Sequence, residues 1–193
     1  MMDQGDLFGI SPPRPEGLTY RPELISSTEE QALVARLESL PFKPFEFQGF
    51  LGKRRTVSFG WSYRFDGSGL APADPFPDWL LPLRDRAAGF AAIPPDAIEH
   101  ALLIEYGECA GLGWHRDRPV FGDVIGISLL SPTPLRFRRR QGAKWERFTL
   151  SAEPRSAYLL RGPARSEWEH SIPPVEALRY SVTFRTMKQS GRK

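Results

Sequence analysis

The strongest constraint on the fold is the recurrence of short segments in which apolar and polar residues alternate. Segment 56–65 places large apolar side chains at every second position, as expected for a half-buried strand. Its apolar members are Val57, Phe59, Trp61, Tyr63 and Phe65. The segments HALLIEY, VIGISLL, PLRFRRR, KWERFTL, SAYLLRG and LRYSVTFRT also predict strands. The 19 Pro and 17 Gly residues favour many turns and short elements over long helices.

Two segments instead predict helices. Residues 26–40 place Ser27 and Glu30 at capping-box spacing, and an apolar stripe follows. The stripe consists of Leu33, Val34, Leu37 and Leu40. Residues 81–92 place Pro82 in a first helical turn and Pro94 beyond the end. Two helices followed by about eight strands predict a mostly β fold with flanking helices, either a closed barrel or a double-sheet jelly roll.

Length and composition predict one cytoplasmic domain over residues 18–187. The Pro- and Gly-rich residues 1–17 are predicted to form a mobile arm, and residues 188–193 a basic tail. The single cysteine, Cys109, excludes an intramolecular disulfide, and we expect neither a disulfide-linked partner nor a stable oligomer. The sequence contains no signal peptide pattern and no apolar run of the roughly 20 residues that span a bilayer.

Basic residues are concentrated in two places, although the net charge is only +3. Segment 136–147 contains six basic residues in twelve, and residues 53–55 read Lys-Arg-Arg. Such clusters suit a polyanionic partner. Solvated strand faces explain them equally well.

Segment 112–123 holds the first chemical signal, because His115 and Asp117 are two residues apart. On a strand they point to the same side, and their neighbours Trp114 and Arg116 face away. A His-x-Asp pair alone is common by chance, but His170 supplies a third ligand. Two histidines and one carboxylate are the ligand set of the facial triad of non-haem Fe(II) oxygenases. The remaining histidine, His100, is interpreted as a surface residue.

The last predicted strand presents Arg179, Ser181, Thr183 and Arg185 on one face. This face either lies in water or points into the fold, where the arginines need anions. A dicarboxylate cosubstrate would supply two carboxylates, which arginine grips in bidentate fashion. Six residues of strand span about 20 Å. One small ligand therefore reaches both arginines only if it lies along the strand.

Taken together, the order Y…HRD…ARSEWEHSI…RYSVTFR resembles the AlkB-like family of 2-oxoglutarate- and Fe(II)-dependent dioxygenases over roughly residues 98–187, with a weaker echo in RRTVSFGWSY. The resemblance implies a double-stranded β-helix core. It implies Fe(II) bound by the three residues His115, Asp117 and His170, and the cosubstrates 2-oxoglutarate and O₂. It also implies a cosubstrate site in which Tyr106 and Arg179 hold the distal carboxylate and Arg185 approaches the chelating end, beside Ser181.

Three positions depart from the bacterial DNA-repair founder of that family. Ile104 stands where the founder has an asparagine, and Ser181 replaces the usual asparagine of the final motif. Pro119 stands where the founder places an acidic residue near the methylated base. These departures leave the cosubstrate site in place and change the position that reads the base.

The resemblance implies oxidative demethylation of alkylated DNA or RNA, as in DNA repair, with release of succinate, CO₂ and formaldehyde. Substrate-binding candidates from the sequence are Arg54, Arg55, Trp61, Tyr63 and Arg116. The aromatic members of this set are equally compatible with a core strand face. Two alternatives remain, namely the same chemistry on a protein or small molecule, and a non-catalytic basic domain that binds nucleic acid.

Overall fold

The computed structural model describes residues 14–47, 50–64 and 69–188, without the side chains of 46, 47, 50, 51 and 64. Most of the predicted arm, Phe65 and most of the predicted tail lie outside the described residues. The helices are α1 (Ser27–Glu38), α2 (Leu81–Ala91) and α3 (Gly162–Ser166). The strands are β1 (Leu18–Arg21), β2 (Lys43–Phe47), β3 (Phe50–Phe59), β4 (Trp61–Arg64), β5 (Gly69–Pro72), β6 (Ile98–Tyr106), β7 (Leu112–His115), β8 (Phe121–Leu129), β9 (Thr133–Gln141), β10 (Lys144–Ala152), β11 (Ala157–Leu160), β12 (Glu169–Ile172) and β13 (Arg179–Met187).

The strands form two main antiparallel sheets, which confirms the predicted mostly β, double-sheet architecture. The larger sheet has the order β1-β11-β8-β13-β6-β3-β2, and the smaller has the order β10-β9-β12-β7. Strands β4 and β5 pair with each other as a separate hairpin. Among the described ranges, no helix combines the length and apolar character that a membrane crossing requires.

The core has two layers, one on each face of the larger sheet. One layer joins the sheet to α1 and α2, where Leu37 and Leu83 meet the apolar side of β13. The second layer contains Tyr106, Phe137 and Trp168 and joins the larger sheet to the smaller one. Strand β13 is buried along Arg179–Arg185. Its polar side chains therefore face the interior and not the solvent.

Two local predictions were wrong. The capping box uses Ser26 and Glu29, because Ser26 is the residue in extended conformation just before α1. The described part of segment 56–65 belongs to two strands, because Gly60 adopts a φ of 76° and ends β3. The chain turns at Gly60, and Trp61 starts the hairpin. Position 60 requires glycine, because a side chain there would collide with the Glu99 carbonyl.

Helix α2 begins and ends where the sequence predicted. Pro82 lies in its first turn, and Ala92 closes the helix in a left-handed conformation before Pro94. The helix buries Leu83, Ala87 and Ala88 against the larger sheet. This packing covers one face of the sheet and leaves the other face for the site.

Candidate active site

Three predicted metal ligands come together at one end of the space between the sheets. His115 is the last residue of β7, and His170 lies directly opposite it on β12. The two imidazole centroids are 4.2 Å apart. His170 Nε2 lies 3.6 Å from Asp117 Oδ2, and one potential ligand atom from each residue lies within 4.8 Å of the others. Asp117 lies beyond the end of β7, so the loop positions this carboxylate and strand alternation does not.

The charge states of these side chains suit a divalent metal. Burial, and then the neighbouring His115, lower the pKa of His170 to about 3. Burial also lowers the pKa of His115. Burial alone would raise the pKa of Asp117, but Arg185 and the two histidines outweigh it and the net pKa is lowered. Neutral imidazoles and an ionised carboxylate are the forms that bind a metal.

A contact with the backbone orients His115. The Nδ1 atom of His115 lies 2.9 Å from the Gly113 carbonyl oxygen. Donation from Nδ1 leaves Nε2 with a lone pair for a metal, which is the usual arrangement for a ligating histidine.

Arg185 holds the ligand carboxylate. Its Nε and Nη2 lie 2.8 and 2.6 Å from Asp117 Oδ1, so Oδ2 remains directed at the histidines. Its Nη1 lies 3.2 Å from His100 Nδ1. His100 is only 2% exposed and stacks on Phe121. The interpretation of His100 as a surface residue was therefore wrong, and this histidine supports Arg185 instead.

Arg179 lies at the other end of the polar face of β13. It is 0% exposed, and its Nε and Nη2 donate to Ser128 Oγ at 3.2 and 3.0 Å. Its guanidinium carbon lies 5.0 Å from the Tyr106 ring centroid. Its Nη1 is buried without a hydrogen-bond partner among the described residues, and no described carboxylate pairs with it. A buried cation with an unused donor suits an anionic ligand.

The two arginines thus lie at the two ends of the polar face of β13, as a ligand lying along β13 requires. Ser181 and Thr183 lie between them on the same face and are buried. Ser128 and Tyr158 also lie near Arg179, and no sequence pattern singled them out. Both come from strands far from β13 in the chain, and only sheet pairing brings them here.

A reciprocal clamp fixes the loop that follows Asp117. Arg165 of α3 donates to the carbonyls of Arg118, Phe121 and Gly122 at 2.6, 2.9 and 3.0 Å. In return Arg116 donates to the Ser166 carbonyl at 3.3 Å. Arg116, predicted to bind substrate, is therefore held by α3. Arg165 is a supporting residue that sequence reasoning missed.

The structure separates the other substrate candidates. Arg54 lies on the face of β3 opposite to Arg55, near enough to the triad that its charge helps to lower the pKa of His115. Its guanidinium lies 3.9 Å from the Phe45 ring centroid. Arg55 points to the opposite face of the sheet, where it pairs with Glu105 at 2.6 Å. Arg55 is thus not brought to the site.

The hairpin residues lie nearer to the triad. The Tyr63 ring centroid is 4.9 Å from the guanidinium of Arg118, the residue next to Asp117. Trp61 is half-buried on the same strand as Tyr63. Tyr63 is therefore placed at the border of the site, beside the loop that carries a metal ligand.

Comparison with protein families decides the class of this site. The family model of the 2OG-Fe(II) oxygenase superfamily matches residues 17–185. The chain belongs to this superfamily. This 2OG-Fe(II) oxygenase therefore uses Fe(II), 2-oxoglutarate and O₂, and the triad His115, Asp117 and His170 is its iron site.

Sequence relatives are AlkB homologues. The chain is 26% identical over 181 residues to "Alkylated DNA repair protein ALKBH8 homolog" of Arabidopsis thaliana, covering 81% of this chain and 51% of that protein. It is 30% identical over 126 residues to "Probable RNA/DNA demethylase ALKBH6" of Danio rerio, covering 65% and 51%. The chain spans about half the length of these curated relatives. They confirm the resemblance to AlkB proteins.

Solved structures confirm the fold. OsALKBH1 superposes with a TM-score of 0.70 at 15% identity, covering 90% of this chain and 97% of that one. A prolyl-4-hydroxylase from Pseudomonas putida superposes with a TM-score of 0.60 at 14% identity, covering 89% and 93%. The double-sheet core is therefore the double-stranded β-helix of 2-oxoglutarate oxygenases.

Proposed function

We propose that this oxygenase removes alkyl groups from DNA or RNA by oxidation. The observation that carries the proposal is the Tyr63–Arg118 pair beside Asp117. A flipped nucleobase needs a flat aromatic surface for stacking, and its phosphates need cations. Arg118 directly follows the iron ligand Asp117, so the pair places an aromatic ring and a cation beside the metal site. The names of the two curated relatives support the same substrate class.

Arg54 extends this substrate side. Burial lowers the pKa of its guanidinium, although the nearby Tyr106 hydroxyl acts in the opposite direction. Among the described side chains no carboxylate neutralises Arg54. A partly desolvated cation facing the triad favours an anionic substrate, such as the phosphate next to the reacting nucleotide.

The cosubstrate site follows from the contacts of β13. We assign the distal carboxylate of 2-oxoglutarate to Arg179 and Tyr106, because Arg179 has the unused buried Nη1. Ser181 lines the same face, and Arg185 orients Asp117 while approaching the chelating end. Ile104 lies directly opposite Ser181 and is buried, so an apolar side chain adjoins Ser181.

Iron, 2-oxoglutarate and O₂ together supply the oxidation of a C–H bond, with succinate and CO₂ as products. The protein contributes neutral histidines, an ionised carboxylate and a buried anion site that orients the cosubstrate. When the oxidised carbon is an N-methyl group, it leaves the base as formaldehyde. Pro119 is exposed on the loop after Asp117, so this chain does not read the base with an acidic side chain there.

The test has two steps. First, anaerobic Fe(II) and 2-oxoglutarate are added to the wild type and to His170→Ala, and the visible charge-transfer band is followed. The band is expected only in the wild type. Second, single-stranded DNA and RNA with N-methylated bases are added under O₂, and formaldehyde and succinate are measured.

Formaldehyde above the level seen with unmethylated strands supports the proposal. Succinate formation that no methylated oligonucleotide stimulates would contradict the nucleic-acid substrate. The protein would then act on a protein or a small molecule with the same chemistry.

A further inference from the structure

The outer face of the smaller sheet carries arginines and tryptophans in alternation with the residues that line the site. We name it the Arg-Trp face. Neighbouring residues of a strand point to opposite faces, so this face lies directly behind the iron ligands. Its members are Trp114, Arg136, Arg138, Arg140, Trp145, Arg147, Glu169 and Ser171.

The planar groups of this face stack in a row. The Arg138 guanidinium lies between two indoles, at 4.4 Å from the Trp114 centroid and 4.5 Å from the Trp145 centroid. Arg136 lies 5.3 Å from Trp114, and Arg140 lies 5.5 Å from Trp145. Such cation–π contacts hold the long arginine side chains flat against the sheet. The result is a preformed surface of indole and guanidinium planes.

The arginines of this face keep most of their donors unused. The three on β9 use Nε alone: Arg136 with Ser171 Oγ, Arg138 with Glu169 Oε2, and Arg140 with the Gly142 carbonyl. Within the described part of the chain, none of their terminal amino groups donates a hydrogen bond. These donors are available to an acceptor outside the protein.

Arg139, on the opposite face of the same strand, shows the contrast. Its Nε and Nη2 donate to Glu146 at 3.1 and 2.8 Å, and its Nη1 donates to Glu167 at 2.7 Å. This arginine is neutralised within the fold. The basic segment 136–140 therefore divides by strand face into one structural arginine and three with open donors.

The charge of the face is unbalanced. Arg147 lies directly opposite Arg138 across β9 and β10, and like charges in such a position destabilise a sheet. Glu169 is the single acid among its members, and it pairs with Arg138 at 2.6 Å. Among the described residues, Arg136, Arg140 and Arg147 have no carboxylate partner. A polyanion along the face would compensate these charges.

We propose that the Arg-Trp face binds single-stranded nucleic acid. The terminal amino groups contact phosphates, and the bases stack on the exposed parts of the indole and guanidinium planes. Trp145 is 38% exposed and is the main stacking platform. A duplex hides its base faces, so the proposal commits to single strands.

The position of the face connects this binding to the site. Trp114 precedes His115, and Ser171 follows His170. Because β7 is the edge strand of the smaller sheet, a strand bound here lies behind the iron ligands and close to an edge that leads to them. The connection to catalysis rests on the proposed function, whereas the binding itself requires neither iron nor 2-oxoglutarate.

The test measures fluorescence anisotropy of labelled 12-nucleotide RNA and DNA single strands with metal-free, full-length protein at several salt concentrations. Trp145→Ala and Arg147→Glu alter the face. Arg36→Glu on α1 is the matched charge reversal, because Arg36 is exposed on a helix packed against the other sheet. Thermal unfolding shows that each variant folds.

We expect Trp145→Ala to weaken binding about tenfold, the range of one lost stacking contact. Arg147→Glu should weaken binding and lower the slope against log salt by about one. Arg36→Glu and His170→Ala should bind like the wild type. Trp145→Ala should keep the charge-transfer band that His170→Ala loses, which separates this surface from the oxygenase site.

Three results would overturn the proposal. The first is that the wild type binds no single strands at 50 mM salt, a deliberately low value of about a third of the physiological concentration. The second is that both face variants keep the wild-type affinity. The third is that a duplex binds equally well and Trp145→Ala has no effect. The last result would mean that phosphate contacts alone hold the nucleic acid.

Discussion

Replacement of Arg179 by methionine should affect cosubstrate binding and stability in different ways. Arg179 is buried completely, donates only to Ser128 and leaves Nη1 without a partner. In the protein without 2-oxoglutarate, this cation has lost its water and has no described carboxylate in exchange. Methionine has a similar length and no charge. It removes that desolvation penalty and leaves the Ser128 hydroxyl without its donor.

The magnitude for 2-oxoglutarate follows from the hydrogen bonds lost. A hydrogen bond to a charged group contributes about 1.5–3 kcal/mol, which corresponds to roughly 10- to 150-fold in affinity. We expect Arg179→Met to weaken 2-oxoglutarate binding by a factor within that range or larger. The melting temperature without cosubstrate should stay within about 2 °C of the wild type or rise.

Anaerobic calorimetric titration of 2-oxoglutarate into protein loaded with Mn(II) measures the affinity, and calorimetric unfolding measures the stability. Arg179→Lys is the matched control, since it keeps the charge and loses the planar fork; its affinity should lie between the other two. Wild-type affinity in Arg179→Met would refute the assignment of Arg179. If Arg179→Met instead destabilised the protein as much as a large cavity in the core does, the unpaired Arg179 cation would not be costing stability through its desolvation.

Further predictions concern pH, packing and the metal loop. Burial, and then Arg185, hold the pKa of His100 well below 6.5; unfolded His100 therefore protonates first, and stability falls as pH drops below about 6.5. His100→Gln should reduce the change in the free energy of unfolding, measured with urea, between pH 7.5 and 5. An unchanged pH dependence would contradict this. Gly126→Ala should destabilise the protein by about 2 kcal/mol or more, because its Cβ would overlap the Tyr158 ring; thermal unfolding measures this, and a wild-type midpoint would be inconsistent with it. Arg165→Gln should weaken Fe(II) binding about tenfold or more, because the loop after Asp117 loses its clamp; anaerobic metal titration tests this, and unchanged affinity would show that the loop holds itself.

Much of the site was predictable because chemistry limits the choice of residues. With three histidines in the chain, a His-x-Asp pair and a later histidine define a small set of metal ligands. The sequence also showed that the polar residues of 179–185 share one strand face, but not whether that face points to the solvent or to the interior. A strand pattern states that side chains share a face, and only packing against the second sheet shows that this face is buried.

The predictions that were wrong concern contacts between distant segments. His100 looked like a surface residue because strand periodicity carries no information on what lies across from it. In the fold it meets Arg185, which is 85 residues away along the chain. Arg55 and Arg54 looked equivalent in sequence, and the two faces of β3 separate them.

The sequence by itself determined the alternation of the strands, the ends of α2 and the chemical identity of the iron ligands. These depend on local periodicity, on proline and on the ligand preferences of iron. Only the tertiary structure decided that Arg179 is buried with an open donor. It also decided that Arg139 is neutralised by two carboxylates while its neighbour Arg140 bonds only a backbone carbonyl. These facts depend on which strands pair and which sheet face meets a second layer, and no short stretch of sequence contains that information.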